Sequence, residues 1–332
     1  MKALMSTKVG GPDTLEMIEV EDPKAGKGQV VIDVKACSIN YPDVLIIQDL
    51  YQFKPERPFA PGGEVSGVIS EVGEGVTDLK VGDRVASTTG HGGLVEKVVA
   101  DQNSVFQIPD SVSHDDASAL ILTYGTSIHA LVDRGHIKEG DDLLVLGASG
   151  GVGIAAVELG KAFGARVVAA VSSEEKAAFC REAGADETVV YERAPLDKDQ
   201  SKALANQFKA AAPGGYDVIY DAVGGDYSEP AVRSIGWEGR FLVVGFPAGI
   251  AKLPLNLTLL KSCDVAGVFW GAFAARDPKA NRAHINRLFK LWDQGMIQPR
   301  VSETFAFEDA GQAIQKMADR GAIGKLVVKI AD

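Results

Sequence analysis

Cysteine is scarce in this chain: Cys37, Cys180 and Cys263 are the three in 332 residues, and no Cys-x-x-Cys pair occurs. A disulfide framework is therefore not expected, and reduced, mostly buried thiols are. The five histidines (His91, His114, His129, His136, His284) show no ligand spacing typical of zinc, so no metal site is expected either. Long apolar runs are missing too. None approaches the roughly 20 residues of a membrane span, and the opening MKALMSTKVGG resembles neither a signal nor a transit peptide, which makes the cytoplasm the default location. Positive charge is in deficit, with 34 Lys and Arg against 45 Asp and Glu and a formal net charge of -11. Nothing supplies a basic stripe, so nucleic acid and anionic membrane are not expected as partners.

What the chain does have is apolar bulk, 46% of its residues, at a length that suits two domains. To about residue 121 short β-like runs alternate with turn signals, as in QVVIDVKACSI, GEVSGVISEV, GDRVAS, GLVEKVVA and VFQIP, and residues 114 to 132 turn helical as a bridge between domains. From Asp142 strand and helix alternate. Six candidate strands (LLVLG, VVAAV, ETVVY, DVIYDAV, RFLVVGF, CDVAGVFW) imply an α/β domain with a doubly wound parallel sheet covered by helices on both faces. The pattern divides the chain into a mostly-β domain over 1–122, a dinucleotide-binding domain over 123–270 and a return to the first domain over 271–332.

The stretch 143–165, LLVLGASGGVGIAAVELGKAFGA, reads as a strand, a glycine-rich turn and a helix without a gap. Free amides at a helix N-terminus, with the positive end of its dipole, attract phosphate, and glycine allows the close approach that side chains block. Ala148, Ser149, Gly150, Gly151, Val152 and Gly153 are accordingly the expected cradle for a dinucleotide pyrophosphate, with alanine in the first glycine position of the usual fingerprint. An Asp or Glu at the end of the second strand would accept from a ribose 2′-hydroxyl and repel a 2′-phosphate. Here that position reads Val171-Ser172-Ser173. Ser172 and Glu175 stand in capping-box spacing at the start of the next helix; Ser172 or Ser173, Lys176 and Tyr191 together suit a 2′-phosphate, which favours NADPH over NADH.

These residues resemble the medium-chain dehydrogenase/reductase superfamily, and within it the zinc-free quinone oxidoreductases that include zeta-crystallin. The resemblance covers nearly the whole chain and matches at Gly140, Asp141, Leu144, Ala148, Ser149, Gly150, Gly151, Gly153 and Lys161, with Glu158 where glutamine is usual. It implies a Rossmann domain beside a GroES-like catalytic domain. Zinc-dependent relatives carry Gly-His-Glu where this chain has Gly62-Gly63-Glu64; in that alignment their histidine ligand becomes Gly63, their cysteine ligand Asn40, and their third ligand falls near Leu122. Without a Lewis acid, simple alcohol oxidation loses its main electrostatic support, whereas quinones and activated alkenes take hydride at an electron-poor centre. The resemblance thus implies an NADPH-dependent quinone reductase, with an enone or enoyl-thioester reductase, or a non-catalytic NADPH- or RNA-binding protein, as alternatives. It places Asn40 and Tyr51 beside the nicotinamide, although a turn-forming Asn and a surface Tyr are the structural readings of the same residues. Thr123 either caps a helix or touches the nicotinamide; Asp43 and His91 are weaker candidates. Phe246 and Phe269 end late strands, at the nicotinamide end or in the core, and Lys325 stands near the cofactor or in solvent. A homodimer is also implied.

Overall fold

The computed structural model describes residues 1–331, which form two units: Met1–Leu122 with 299–331, and Thr123–Gln298. In the second unit all six sequence-predicted strands form: β1 (Asp142–Leu146), β2 (Arg166–Val171), β3 (Glu187–Val190), β4 (Tyr216–Asp221), β5 (Ile235–Val243) and β6 (Asp264–Gly267). They are parallel and ordered β3-β2-β1-β4-β5-β6. Leu143, Leu144, Val145 and Leu146 are all fully buried, as a strand covered on both faces requires. The order reverses between β1 and β4, and the carboxyl ends of strands at such a point are where this fold takes ligands. The last strand is shorter than its apolar run, since Trp270 begins the helix Trp270–Arg276.

In the first unit the eleven-residue strand Gln29–Ile39 is the centre. It pairs antiparallel with Glu64–Val72, with Lys97–Asp101 and with the last strand, Lys325–Lys329. Arg84–Thr88 and Val105–Gln107 continue the sheet beyond Glu64–Val72, and Val301–Ala306 lies parallel to the last strand at the other side. Val30, Ile32, Val34, Val65, Val85 and Leu326 are among its buried core residues.

The chain re-enters the first unit at Pro299 and not at residue 271. The intervening helix Pro278–Asp293 stays with the second unit, where Asn281 accepts a hydrogen bond from Trp270 Nε1 at 3.0 Å and Arg287 lies over the Phe163 ring. Among the described residues no helix is long and apolar enough to cross a membrane.

Candidate active site

The glycine turn of the second unit is built for close approach. Gly147 has φ +69, and a Cβ there would lie 2.6 Å from Val223 Cγ2; a Cβ on Gly153 would lie 2.2 Å from Gly147 O. Neither position accepts a side chain without displacing the turn. The helix that follows, α1 (Gly151–Ala162), has Gly150 at its N-cap and no side-chain cap, and Ile154 N bonds to Gly150 O at 2.8 Å. The amides of Gly151, Val152 and Gly153 are the first-turn donors, at the positive end of the helix. From beneath, Val152 O accepts Ser127 Oγ at 2.8 Å, and Ser127 meets Tyr220 Oη at 2.9 Å.

At the end of β2 the structure moves one feature by a residue. Ser173, not Ser172, is the N-cap of the helix Glu174–Glu182, accepting from Lys176 N at 3.3 Å. Ser172 therefore has no role in capping. Lys176 is half-buried and makes no ion pair with a carboxylate among the described residues. Burial lowers its pKa, and the Arg193 guanidinium pushes it further in that direction, against the weaker pull of Glu175. The charge of Arg193, in the loop after β3, thus reaches Lys176, and it is a residue that sequence reasoning missed. Tyr191 stands at the same edge with its ring 4.6 Å from Tyr227; burial raises its phenol pKa, and the Gly147 main chain opposes that rise.

In the first unit Asn40 and Lys325 come together, 285 residues apart in sequence, around a buried glutamate. Lys325 Nζ donates to Asn40 Oδ1 at 2.6 Å and lies 3.3 Å from Glu64 Oε2; the two charged side chains are 2% and 0% exposed. Ser38 Oγ and Asn40 Nδ2 donate to the same Glu64 oxygen at 2.8 and 3.2 Å, and Leu122 N donates to Glu64 Oε1 at 2.8 Å. Asn40 therefore has both ends of its amide engaged within its own unit. The ammonium of Lys325, expected beside a cofactor or in solvent, is committed to this cluster. Next to it Asp43 accepts from Asn40 N and Gly62 N at 2.7 and 2.9 Å; burial, opposed by these two donors, raises its pKa to about 6.

Asn40 and Leu122 bond to Glu64 and Gly63 precedes it; these are the positions that the resemblance matches to the metal ligands of zinc-dependent relatives. The donors do not fit a metal. They amount to an amide already bonded at both ends, a residue without a side chain and an aliphatic one, with a lysine ammonium among them. A second cation would meet repulsion at the point where thiolate or imidazole would be required.

Tyr51 is half-buried beside this cluster; burial and then the Asp43 charge raise its phenol pKa. Its hydroxyl makes no hydrogen bond among the described residues. His91 stands elsewhere in the unit, stacked on Phe53 (centroids 5.7 Å, interplanar 2°) and tilted against Phe59, in the wall of an apolar cavity of about 480 Å³. Burial lowers its pKa. Thr123 is buried, whereas Phe246 and Phe269, the latter at the N-cap of the helix Trp270–Arg276, are exposed and not in the core.

Two family descriptions match the chain: an alcohol dehydrogenase GroES-like domain over residues 26–110 and a zinc-binding dehydrogenase over 151–285. The quinone oxidoreductase-like protein 2 homolog of Nematostella vectensis is 36% identical over 331 residues, covering 98% of this chain and 88% of its own. A crystal structure of a probable oxidoreductase from Mycobacterium abscessus is 34% identical over 99% of both chains, with a TM-score of 0.88. The quinone oxidoreductase of Thermus thermophilus, solved also in complex with NADPH, is 29% identical over 99% of this chain and 100% of its own, with a TM-score of 0.85. Fold and site together define a two-unit, nicotinamide-type oxidoreductase. The chain belongs to the medium-chain dehydrogenase/reductase superfamily, with quinone oxidoreductase-like proteins among its relatives.

Proposed function

We propose that this oxidoreductase is an NADPH-dependent, zinc-independent reductase of quinones that works by direct hydride transfer. The observation that carries the cofactor choice is the end of β2, where Ser172 and the N-cap Ser173 stand in place of an Asp or Glu and half-buried Lys176 follows in the first turn, with the Arg193 charge acting on it. A ribose 2′-phosphate is the anion that such a site suits, and a 2′-hydroxyl gives it nothing to neutralise. The name of the Thermus thermophilus relative supports the same substrate class.

Reduction of a quinone to its hydroquinone consumes one hydride and one proton. Bound NADPH supplies the hydride. The chain supplies position: the first-turn amides of α1 would hold the pyrophosphate, and Lys176 and Arg193 would hold the 2′-phosphate end. No Lewis acid is required, because the charge that develops on a quinone oxygen is spread over the ring and neutralised by a proton. Tyr51, whose phenol makes no hydrogen bond among the described residues, is the donor for that oxygen. Asn40 acts at one remove, through its hydrogen bonds to Asp43, Glu64 and Lys325.

The test is cofactor preference. With a quinone acceptor, Lys176→Ala and Arg193→Ala should each raise the KM for NADPH by about tenfold and leave that for NADH unchanged, since a hydrogen bond to a charged group contributes about 1.5–3 kcal/mol. Equal use of NADH and NADPH by the unaltered enzyme would remove the basis of the assignment. Turnover of enones but not quinones would keep the cofactor and change the substrate class.

We also infer a homodimer. β6 is an edge of the six-stranded sheet, with Val265 43% and Phe269 61% exposed. An unpaired edge flanked by apolar side chains suits a second copy related by a two-fold axis.

A further inference from the structure

At the end of β4, Asp221 is 2% exposed and fully engaged. Its Oδ1 accepts from Val223 N and Gly224 N at 2.9 and 2.8 Å, and its Oδ2 from Ser228 Oγ at 2.5 Å. Its main-chain oxygen accepts from Val244 N at 2.9 Å and Gly245 N at 3.2 Å. One residue therefore fixes two loops, 222–225 after β4 and 244–249 after β5. The loops are in turn tied to each other, through Gly225 N to Gly249 O at 2.7 Å and Ala248 N to Val223 O at 2.9 Å. Gly224 and Gly225 have φ of +72 and +58, conformations that the Asp221 side chain holds in place.

The position of this hub in the sheet gives it its meaning. Asp221 is paired in register with Leu146, the last residue before the glycine turn, so it stands at the point where the strand order reverses. A dinucleotide lies across that point with one half over each set of three strands. The glycine turn, Ser172, Lys176 and Arg193 belong to the β1–β2–β3 side. The loops that Asp221 holds belong to the β4–β5–β6 side, and Phe246 is exposed on one of them.

We propose that Asp221 is a positioning residue for the nicotinamide half of the cofactor, acting through loops 222–225 and 244–249 without touching the ligand. This rests on the cofactor reading above. The experiment compares NADPH with 2′,5′-ADP, which carries the adenosine and 2′-phosphate but no nicotinamide half, by titration calorimetry on the full chain.

In Asp221→Ala, NADPH affinity should fall by about tenfold or more while 2′,5′-ADP affinity stays within about twofold. Asp221→Asn keeps an oxygen for the two amides and should return NADPH affinity to within about threefold. Ser228→Ala, a milder change should the alanine variant not fold, should weaken NADPH by about threefold and leave 2′,5′-ADP unchanged. Parallel loss of both ligands, or no loss of NADPH, in the folded variants would overturn the role of Asp221. If the unaltered protein bound neither ligand, the cofactor reading would fail first, and this role with it.

Discussion

The sharpest energetic prediction concerns the buried Lys325–Glu64 pair. In Lys325→Met the side chain keeps its bulk, but Glu64, 0% exposed, becomes an uncompensated carboxylate, with Ser38, Asn40 and Leu122 as its remaining donors. Removing one partner of such a pair costs about 3–5 kcal/mol, because the surviving charge stays out of water. Glu64→Gln strands the ammonium in the same way and should cost a similar amount. In the double variant Lys325→Met/Glu64→Gln neither charge remains, and the loss should fall short of the sum of the singles by about 2 kcal/mol or more. The readout must come from the first unit, since Trp237, Trp270 and Trp292 all lie in the second. Hydrogen exchange at Leu122, whose amide donates to Glu64, reports it directly, alongside urea unfolding followed by far-UV circular dichroism. Additive losses, with exchange at Leu122 unchanged in each single variant, would refute the claim that an internal cation holds this site together.

Two further predictions follow from charge and from the sheet edge. Asp43 is buried with its pKa raised to about 6 from 3.8, so the folded state binds its proton more tightly than the unfolded state does. The stabilisation is complete below pH 4 and is lost as pH rises through 6, a swing of about 3 kcal/mol. Urea unfolding of the unaltered protein minus that of Asp43→Asn, measured between pH 4 and 7, should show that slope, and parallel curves would contradict it. For the dimer, Val265→Lys places a charge on the β6 edge and should halve the mass measured by light scattering; an unaltered protein that is already monomeric would end the proposal.

How far the site could be read from sequence follows from how far apart its parts lie along the chain. Strand, turn and helix at 142–162 are contiguous, and local periodicity with glycine spacing suffices to place them; only the cap slipped, from Ser172 to Ser173, since either serine can accept from the first turn. Arg193 lies in a loop without periodicity, and its relation to Lys176 exists only once β2 and β3 pair. Asp221 had a legible local signal, an Asp at a strand end followed by Ala-Val-Gly-Gly, a sequence suited to a side chain that caps its own turn. Lys325 had none. It meets Asn40 because the last strand pairs antiparallel with Leu326 opposite Ile39, a register that no local pattern reports. What the sequence did contain was an imbalance. Gly63 stands where zinc-dependent relatives have a ligand, while Glu64 remains at the start of a buried strand, where an unpaired carboxylate is costly. A carboxylate in that position requires either a protonated form or a cation from elsewhere in the chain, and the structure answers with Lys325. The buried lysine is thus the cation that this buried carboxylate requires.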